Sequence, residues 1–101
     1  MFVLELTYTT AELERIDEAL PAHVAWLNGH YAAGTFLASG RKVPRDGGVI
    51  LAVGEDRAAI EALVATDPFV RLGLTEYRVT EFLATVTAPA LEAYRQQLPA
   101  S

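Results

Sequence analysis

The two histidines, His23 and His30, are the first candidates for acid–base or metal chemistry, because the sequence has no cysteine. On a helix, residues seven apart return to one side and stand roughly 10 Å apart, at a rise of about 1.5 Å per residue. This spacing excludes direct ligation of one zinc ion by both, because Zn–N bonds are about 2 Å long. A helical zinc pair is spaced by four residues, and Leu27 occupies that position after His23. We therefore predict no metal site.

His23 is the stronger candidate for acid–base chemistry, because its helix would place it at the edge of an apolar stripe. The pKa of a half-buried imidazole responds to a neighbouring carboxylate, as general acid–base catalysis requires. A packed histidine with a single hydrogen bond has the same sequence pattern, so both interpretations stay open. Trp26 lies about 120° from the centre of the stripe and is expected outside the core of a monomer. The stripe consists of Leu20, Val24, Leu27 and Tyr31.

Asp67 is the carboxylate with the clearest local role, because Pro68 follows it directly. Aspartate is favoured as a helix N-cap, and proline is favoured at the first helical position. This structural role is sufficient by itself, and a catalytic role would also require a basic partner nearby in space.

The basic side chains cluster in one loop, where Arg41, Lys42 and Arg45 supply three of the eight Lys and Arg residues. Such a cluster on an acidic protein could hold an anionic substrate. Solvated loop charges would give the same pattern, so this alternative stays open as well.

Composition narrows the class of protein. The 101 residues are 51% hydrophobic and 21% charged, which excludes a disordered chain. The net charge of −5 argues against a nucleic-acid partner, which would need a basic surface. No apolar run reaches the ~20 residues of a membrane span, and the first ten residues do not resemble a signal peptide. We predict one cytoplasmic domain with neither a membrane nor a nucleic-acid partner.

Short motifs for common cofactors and catalytic machinery are absent from the sequence. It has no phosphate-binding Walker loop, no GxGxxG, no GxSxG, no HExxH and no EF-hand loop. We therefore predict no bound cofactor.

The elements that must position these residues follow from hydrophobic periodicity and from the turn residues. Pro21 should separate two helices, because proline is favoured at a helix start and disfavoured inside one. Thr10 is the expected N-cap of the first of them, and Gly34 the expected stop of the second. The predicted elements are a strand at 2–8, a short helix before 21, a helix at 21–33, strands at 35–39 and 49–53, a helix after 55–56, a strand at 74–86 and a helix at 88–97.

This order predicts a ferredoxin-like α+β sandwich, β-α-β-β-α-β with a C-terminal helix. Right-handed crossovers place both helices on one face of the sheet. The other face would expose Val3 and either Val49 or Ile50. An apolar patch of this kind indicates a partner, and a second copy stacked sheet to sheet is the simplest one. We therefore predict a homodimer.

Four segments resemble the YCII-related (YciI-like) family, in order and spacing along nearly the whole chain. They are Pro21-Ala22-His23 with Leu27 and Gly34 after it, Ser39-Gly40, Asp67-Pro68-Phe69-Val70, and Gly73-Leu74. The resemblance implies one YCII-related domain at residues 1–101 and a ferredoxin-like dimer of the dimeric α/β-barrel type.

The resemblance also implies a His–Asp dyad in a cleft, in which Asp67 orients His23 and His23 acts as general acid or base. Ser39 and Gly40 would line the same pocket. Arg41 stands where the family often has proline, so the pocket mouth should be more cationic and bind the substrate. A related dehydrochlorinase acts on a chlorinated aromatic diol, which implies elimination, a lyase-type reaction, on an anionic or phenolic molecule. A non-catalytic ligand-binding or dimerising module is the alternative, because this fold supports both.

Overall fold

The computed structural model describes residues 1–99, so residues 100–101 of the predicted domain lie outside the described part. The strands are β1 (Phe2–Tyr8), β2 (Phe36–Arg41), β3 (Gly47–Ala52) and β4 (Thr75–Glu81). The helices are α1 (Leu13–Ala32), α2 (Arg57–Val64) and α3 (Pro68–Arg71), followed by a 3₁₀ helix at Pro89–Tyr94. The strands form one sheet in the order β2-β3-β1-β4, with every neighbouring pair antiparallel. This topology confirms the predicted ferredoxin-like α+β fold.

β1 is a central strand, and its alternating sequence divides the sheet into two faces. Phe2, Leu4 and Leu6 are buried, whereas Glu5 and Thr7 are exposed on the opposite side. Each buried side chain of this size contributes about 1.5–3 kcal/mol. The rest of the buried core consists of Ile16, Ala19, Phe36, Ile50, Ala52, Ile60, Val64, Phe69 and Leu74.

α1 is one continuous helix, so the predicted break at Pro21 is wrong. A proline inside a helix removes one hydrogen bond, here the one to the Asp17 carbonyl. Both residues are exposed, so that carbonyl can be solvated, and the buried residues on either side hold the helix together. Thr10 is also not the N-cap: its hydroxyl accepts a hydrogen bond from the Glu12 N–H (3.0 Å), one turn before the helix. Gly34 does end the helix region, with the positive φ of +79° that glycine tolerates.

The buried face of α1 is rotated from the predicted stripe. Ile16, Ala19 and His23 are its buried residues, so His23 lies at the centre of the packed face rather than at its edge. Val24, predicted to be core, is 42% exposed. Trp26, predicted to lie outside the core, is half-buried and packs against it. The rotation arises because α1 packs on α3 and β2 together, and its apolar stripe partly lines a cavity.

The last strand and the C-terminal helix are both shorter than predicted. β4 ends at Glu81, which pairs with Phe2, and beyond it the Phe82 backbone is hydrogen-bonded to Met1 (2.8 and 2.9 Å). The C-terminal helix at Pro89–Tyr94 is a 3₁₀ helix with no buried residue, and a short helix without a packed face gains little stability. The Gln96 side chain ties this segment to the sheet by accepting hydrogen bonds from the Met1 amine (2.7 Å) and the Ala84 N–H (3.0 Å).

The sheet face away from the helices carries Val3, Val49 and Leu51, which adjoin one another across β1 and β3. Val49 is 38% exposed, whereas Ile50 is 2% exposed in the core. Of the two residues that the sequence offers for this exposed face, Val49 is therefore the one that lies on it.

Candidate active site

His23 and Asp67 form a buried hydrogen-bonded pair, although 44 positions separate them in the chain. The His23 Nδ1 atom lies 2.8 Å from the Asp67 Oδ1 atom. His23 comes from the middle of α1, and Asp67 is the N-cap of α3, which α1 contacts. The geometry is that of a pair able to exchange a proton with a third group, and the catalytic role itself stays a prediction.

Three hydrogen bonds hold the Asp67 carboxylate, which has no exposed surface. The Phe69 N–H donates to Oδ1 (2.9 Å), and the Tyr77 hydroxyl donates to Oδ2 (2.5 Å). Because the carboxylate accepts from both, we assign the Nδ1–H of His23 as the third donor. His23 Nε2 is then the nitrogen left for a ligand. The N-cap role and the partner role predicted for Asp67 are therefore combined in one carboxylate.

The sequence does not identify Tyr77 as a site residue. The alternation of β4 places it on the core side with Val79, but nothing in the spacing connects it to Asp67. Burial, followed by the charge and the hydrogen bond of Asp67, raises the pKa of Tyr77 far above its usual value. Its hydroxyl therefore keeps its proton and remains a donor to Asp67 throughout the physiological range.

The raised pKa of Tyr77 predicts a loss of stability in alkali. Because the folded state holds the proton more tightly than the unfolded chain, this stability is fully present below about pH 10 and is lost above it. Between the two pKa values, the free energy of unfolding should fall by about 1.4 kcal/mol per pH unit more in the parent than in Tyr77→Phe. Urea denaturation between pH 7 and 11 measures this slope, with Tyr94→Phe as the exposed control. Equal slopes for the parent and Tyr77→Phe would contradict the raised pKa of Tyr77.

Two aromatic rings stack on the His23 imidazole. The Phe69 ring lies 4.1 Å away at 8°, and the Trp26 ring lies 5.7 Å away at 28°. Trp26 is itself held by a hydrogen bond from its indole N–H to the Thr66 hydroxyl (2.9 Å). The imidazole is therefore fixed in orientation by packing as well as by Asp67.

His23 and the three predicted substrate-binding residues line a cavity of about 190 Å³ between α1 and the sheet. Ser39, Gly40 and Arg41 all line it, whereas Asp67 lies behind His23 and does not. The Ser39 hydroxyl is hydrogen-bonded to the Tyr31 hydroxyl (2.6 Å). The remaining lining residues are Leu6, Tyr8, Leu20, Val24, Leu27, Gly47, Gly48, Val49, Ile50 and Phe69.

The basic loop does not act as one cluster. Lys42 lies within 4 Å of Glu5 and Asp46, and Arg45 is paired with Asp17. Arg41 lines the cavity, and no acidic group in residues 1–99 forms an ion pair with it. Of the three cations, Arg41 is therefore the one with its charge uncompensated at the cavity.

His30 does not join His23 in a polar site. Its ring packs on Trp26 (5.0 Å) and Phe36 (5.1 Å) instead. Within the described residues, no group of three or more His, Cys, Asp or Glu side chains is arranged to hold a metal ion. In the same part of the chain, no helix has both the length and the apolar character needed to cross a membrane.

The fold of this chain is similar to that of a solved enzyme. The structure of 5-chloro-2-hydroxyhydroquinone dehydrochlorinase (TftG) from Burkholderia phenoliruptrix AC1100, in complex with 2,5-dihydroxybenzoquinone, aligns with a TM-score of 0.71. The sequences are 19% identical over the match, which covers 80% of this chain and 91% of the other. A comparison with curated proteins found no match. The family model of the YCII-related domain matches residues 1–83. The chain therefore belongs to the family of proteins with a YCII-related domain.

Proposed function

We propose that this protein is a small-molecule enzyme in which His23 is the general acid and base and Asp67 orients it. The observation that carries the proposal is the hydrogen bond between the two side chains at the wall of an accessible cavity. Asp67 fixes the proton on Nδ1, so that Nε2 is the nitrogen that exchanges a proton with the substrate. The stacked Phe69 ring keeps the imidazole in that orientation.

The cavity lining favours a largely apolar molecule that carries oxygen substituents. Leucine, valine, isoleucine and phenylalanine side chains form most of the wall, and Ser39 and Arg41 supply polar contacts. The uncompensated charge of Arg41 favours an anionic or phenolic group, on a protein whose net charge is −5. The dehydrochlorinase with the same fold was solved with a dihydroxybenzoquinone, and this supports a phenolic substrate here.

The reaction we propose is an elimination from a hydroxylated aromatic ring. For loss of HCl from a chlorinated hydroquinone, two hydroxyl protons leave and one proton adds to the ring carbon that bears chlorine. Chloride departs with the bonding electrons, and two carbonyl bonds form, so no oxidant or reductant is required. One imidazole can take the first hydroxyl proton and deliver it to that carbon, which is the role we give to His23.

A panel of chlorinated phenols and hydroquinones tests this function. The purified protein should release chloride, measured by ion chromatography without oxygen, from 5-chloro-2-hydroxyhydroquinone or a related chlorinated hydroquinone, with a matching rise in quinone absorbance. Binding without turnover would favour the ligand-binding module instead. Neither binding nor turnover across the panel would contradict the proposed substrate class.

We also propose that the protein is a homodimer through the open sheet face. Val3, Val49 and Leu51 form a small apolar surface there, and a second copy would cover it. Light scattering at micromolar concentration should give twice the 10.9 kDa mass of the chain. Leu51→Lys should shift the mass towards the monomer, whereas Ala58→Lys, on an exposed position of α2, should leave it unchanged. A parent protein that is monomeric under these conditions would contradict the dimer.

A further inference from the structure

We infer that Tyr8 is a second substrate-binding residue, which makes the site selective for aromatic molecules with two oxygen substituents. The inference rests on the proposed function and adds to it the contact for the second oxygen. Tyr8 lines the same cavity as His23. It is half-buried at the end of β1, on the helix side of the sheet.

Phe69 contacts both polar residues. Its ring stacks on His23 (4.1 Å, 8°) and meets the edge of the Tyr8 ring (6.4 Å, 87°). The imidazole and the phenol therefore both contact the Phe69 ring, and all three side chains line one cavity. An aromatic substrate in this cavity can present one oxygen to His23 and another to Tyr8.

The basic loop holds Tyr8 in place. The Tyr8 N–H donates to the Asp46 carbonyl (2.9 Å), and Arg45, the residue before Asp46, donates from its guanidinium to Asp17 on α1. The hydrogen bond with Asp17 raises the pKa of Arg45, against the effect of burial, and the nearby Tyr8 hydroxyl adds to the rise. The Arg45 Nε atom is buried and has no hydrogen-bond partner within the described residues.

This arrangement makes Tyr8 a suitable donor to a negatively charged oxygen. The Arg45 guanidinium adds positive charge near Tyr8, and positive charge attracts an anionic oxygen. Tyr8 would therefore donate to a substrate hydroxyl or oxyanion, and Arg45 acts through Tyr8 as a positioning residue. An elimination that converts two hydroxyls into two carbonyls develops charge on both oxygens, so a donor at each is useful.

Comparison of hydroquinone with phenol isolates the second oxygen. Dissociation constants for both are measured by ¹H–¹⁵N NMR titration of the parent and of Tyr8→Phe, which keeps the ring packed on Phe69. Tyr8→Phe should weaken hydroquinone binding about 10-fold, the usual size of a lost hydrogen bond, and phenol binding less than 2-fold. Arg45→Gln should reduce the preference for hydroquinone in the same direction. Tyr94→Phe, in the C-terminal 3₁₀ helix, serves as the control and should change neither constant.

The outcomes separate this inference from the proposed function. If Tyr8→Phe leaves the preference for hydroquinone unchanged while His23→Asn weakens hydroquinone binding, the second contact is wrong and the proposed site stands. If the parent binds neither compound, the proposed substrate class fails and the second contact fails with it. Loss of the preference in Tyr8→Phe, with His23 intact, supports both.

Discussion

Replacing His23 with asparagine should lower the rate of the proposed elimination by about 10²–10⁴-fold, the usual contribution of a general acid or base. The asparagine amide can still donate a hydrogen bond to Asp67 from near the position of Nδ1, so the buried carboxylate keeps a partner. What the substitution removes is Nε2, the nitrogen that we expect to reach the substrate. The measurement is the rate of chloride release from the substrate that the panel identifies.

His30→Asn is the matched control, because His30 lies on the same helix but packs between Trp26 and Phe36 rather than lining the cavity. Its rate should stay within about 2-fold of the parent, since it loses packing but no group at the site. Circular dichroism and thermal melts of both variants report whether the fold is intact. A folded His23→Asn protein that retains the parental rate would contradict the catalytic role.

Removing the Asp67 carboxylate should have the largest effect on stability. Asp67→Ala leaves three buried donors without an acceptor: the His23 Nδ1–H, the Tyr77 hydroxyl and the Phe69 N–H. Each buried unsatisfied donor costs about 1–3 kcal/mol, and the lost bond to the Phe69 N–H is also the N-cap bond of α3. We expect the free energy of unfolding, measured in urea, to fall by roughly 3–5 kcal/mol, a large part of the stability of a domain of this size.

Asp56→Ala separates the buried network from simple helix capping. Asp56 is also an N-cap aspartate, and its side chain accepts from the Ala59 N–H (2.7 Å) at the start of α2, but it is exposed. Its removal should cost about 1 kcal/mol, the usual value for an N-cap. If Asp67→Ala and Asp56→Ala cost the same, Asp67 is a cap only, and its bonds to His23 and Tyr77 contribute nothing measurable.

Asp67→Asn is the conservative variant for function. It keeps the size of the side chain and one good acceptor oxygen, so we expect a smaller loss of stability than for alanine. The amide can no longer accept at both Oδ positions, so it loses its hold on His23 or on Tyr77. The rate of chloride release should therefore fall in a protein that remains folded, as expected for a residue that orients the base.

Much of the fold follows from local patterns in the sequence. The period of two in β1 predicts which residues face the core, and the order of the elements predicts the ferredoxin-like topology. Local turn chemistry also predicts the cap at Asp67 and the end of α1 at Gly34. These features depend on neighbours within a few residues, which the sequence displays directly.

The pairing of His23 with Asp67 does not follow from local patterns. By those patterns alone, His23 could be a packed histidine and Asp67 a helix N-cap. The pairing was implied by the resemblance of four segments to one family and then observed as a hydrogen bond. Tyr77 carried no such motif, so its bond to Asp67 appears only once β4 is placed beside α3. A contact between distant segments is decided by how the elements pack, and no local pattern encodes it.

The same reason explains why the predicted buried face of α1 differs from the observed one. Leu20, Val24 and Leu27 line the cavity, and only Leu20 and Leu27 also pack against the core. Hydrophobic periodicity cannot distinguish those two surroundings. The sequence by itself determined the β-α-β-β-α-β order and, through its resemblance to one family, the candidate pair of His23 and Asp67. Only the tertiary structure decided which side of α1 is buried, that Pro21 is tolerated, and that Tyr8, Tyr77 and Arg45 adjoin the site. Those features depend on the packing of segments that are far apart in the chain. For Pro21, burial of the residues on either side offsets the cost of about a few kcal/mol of a proline inside a helix.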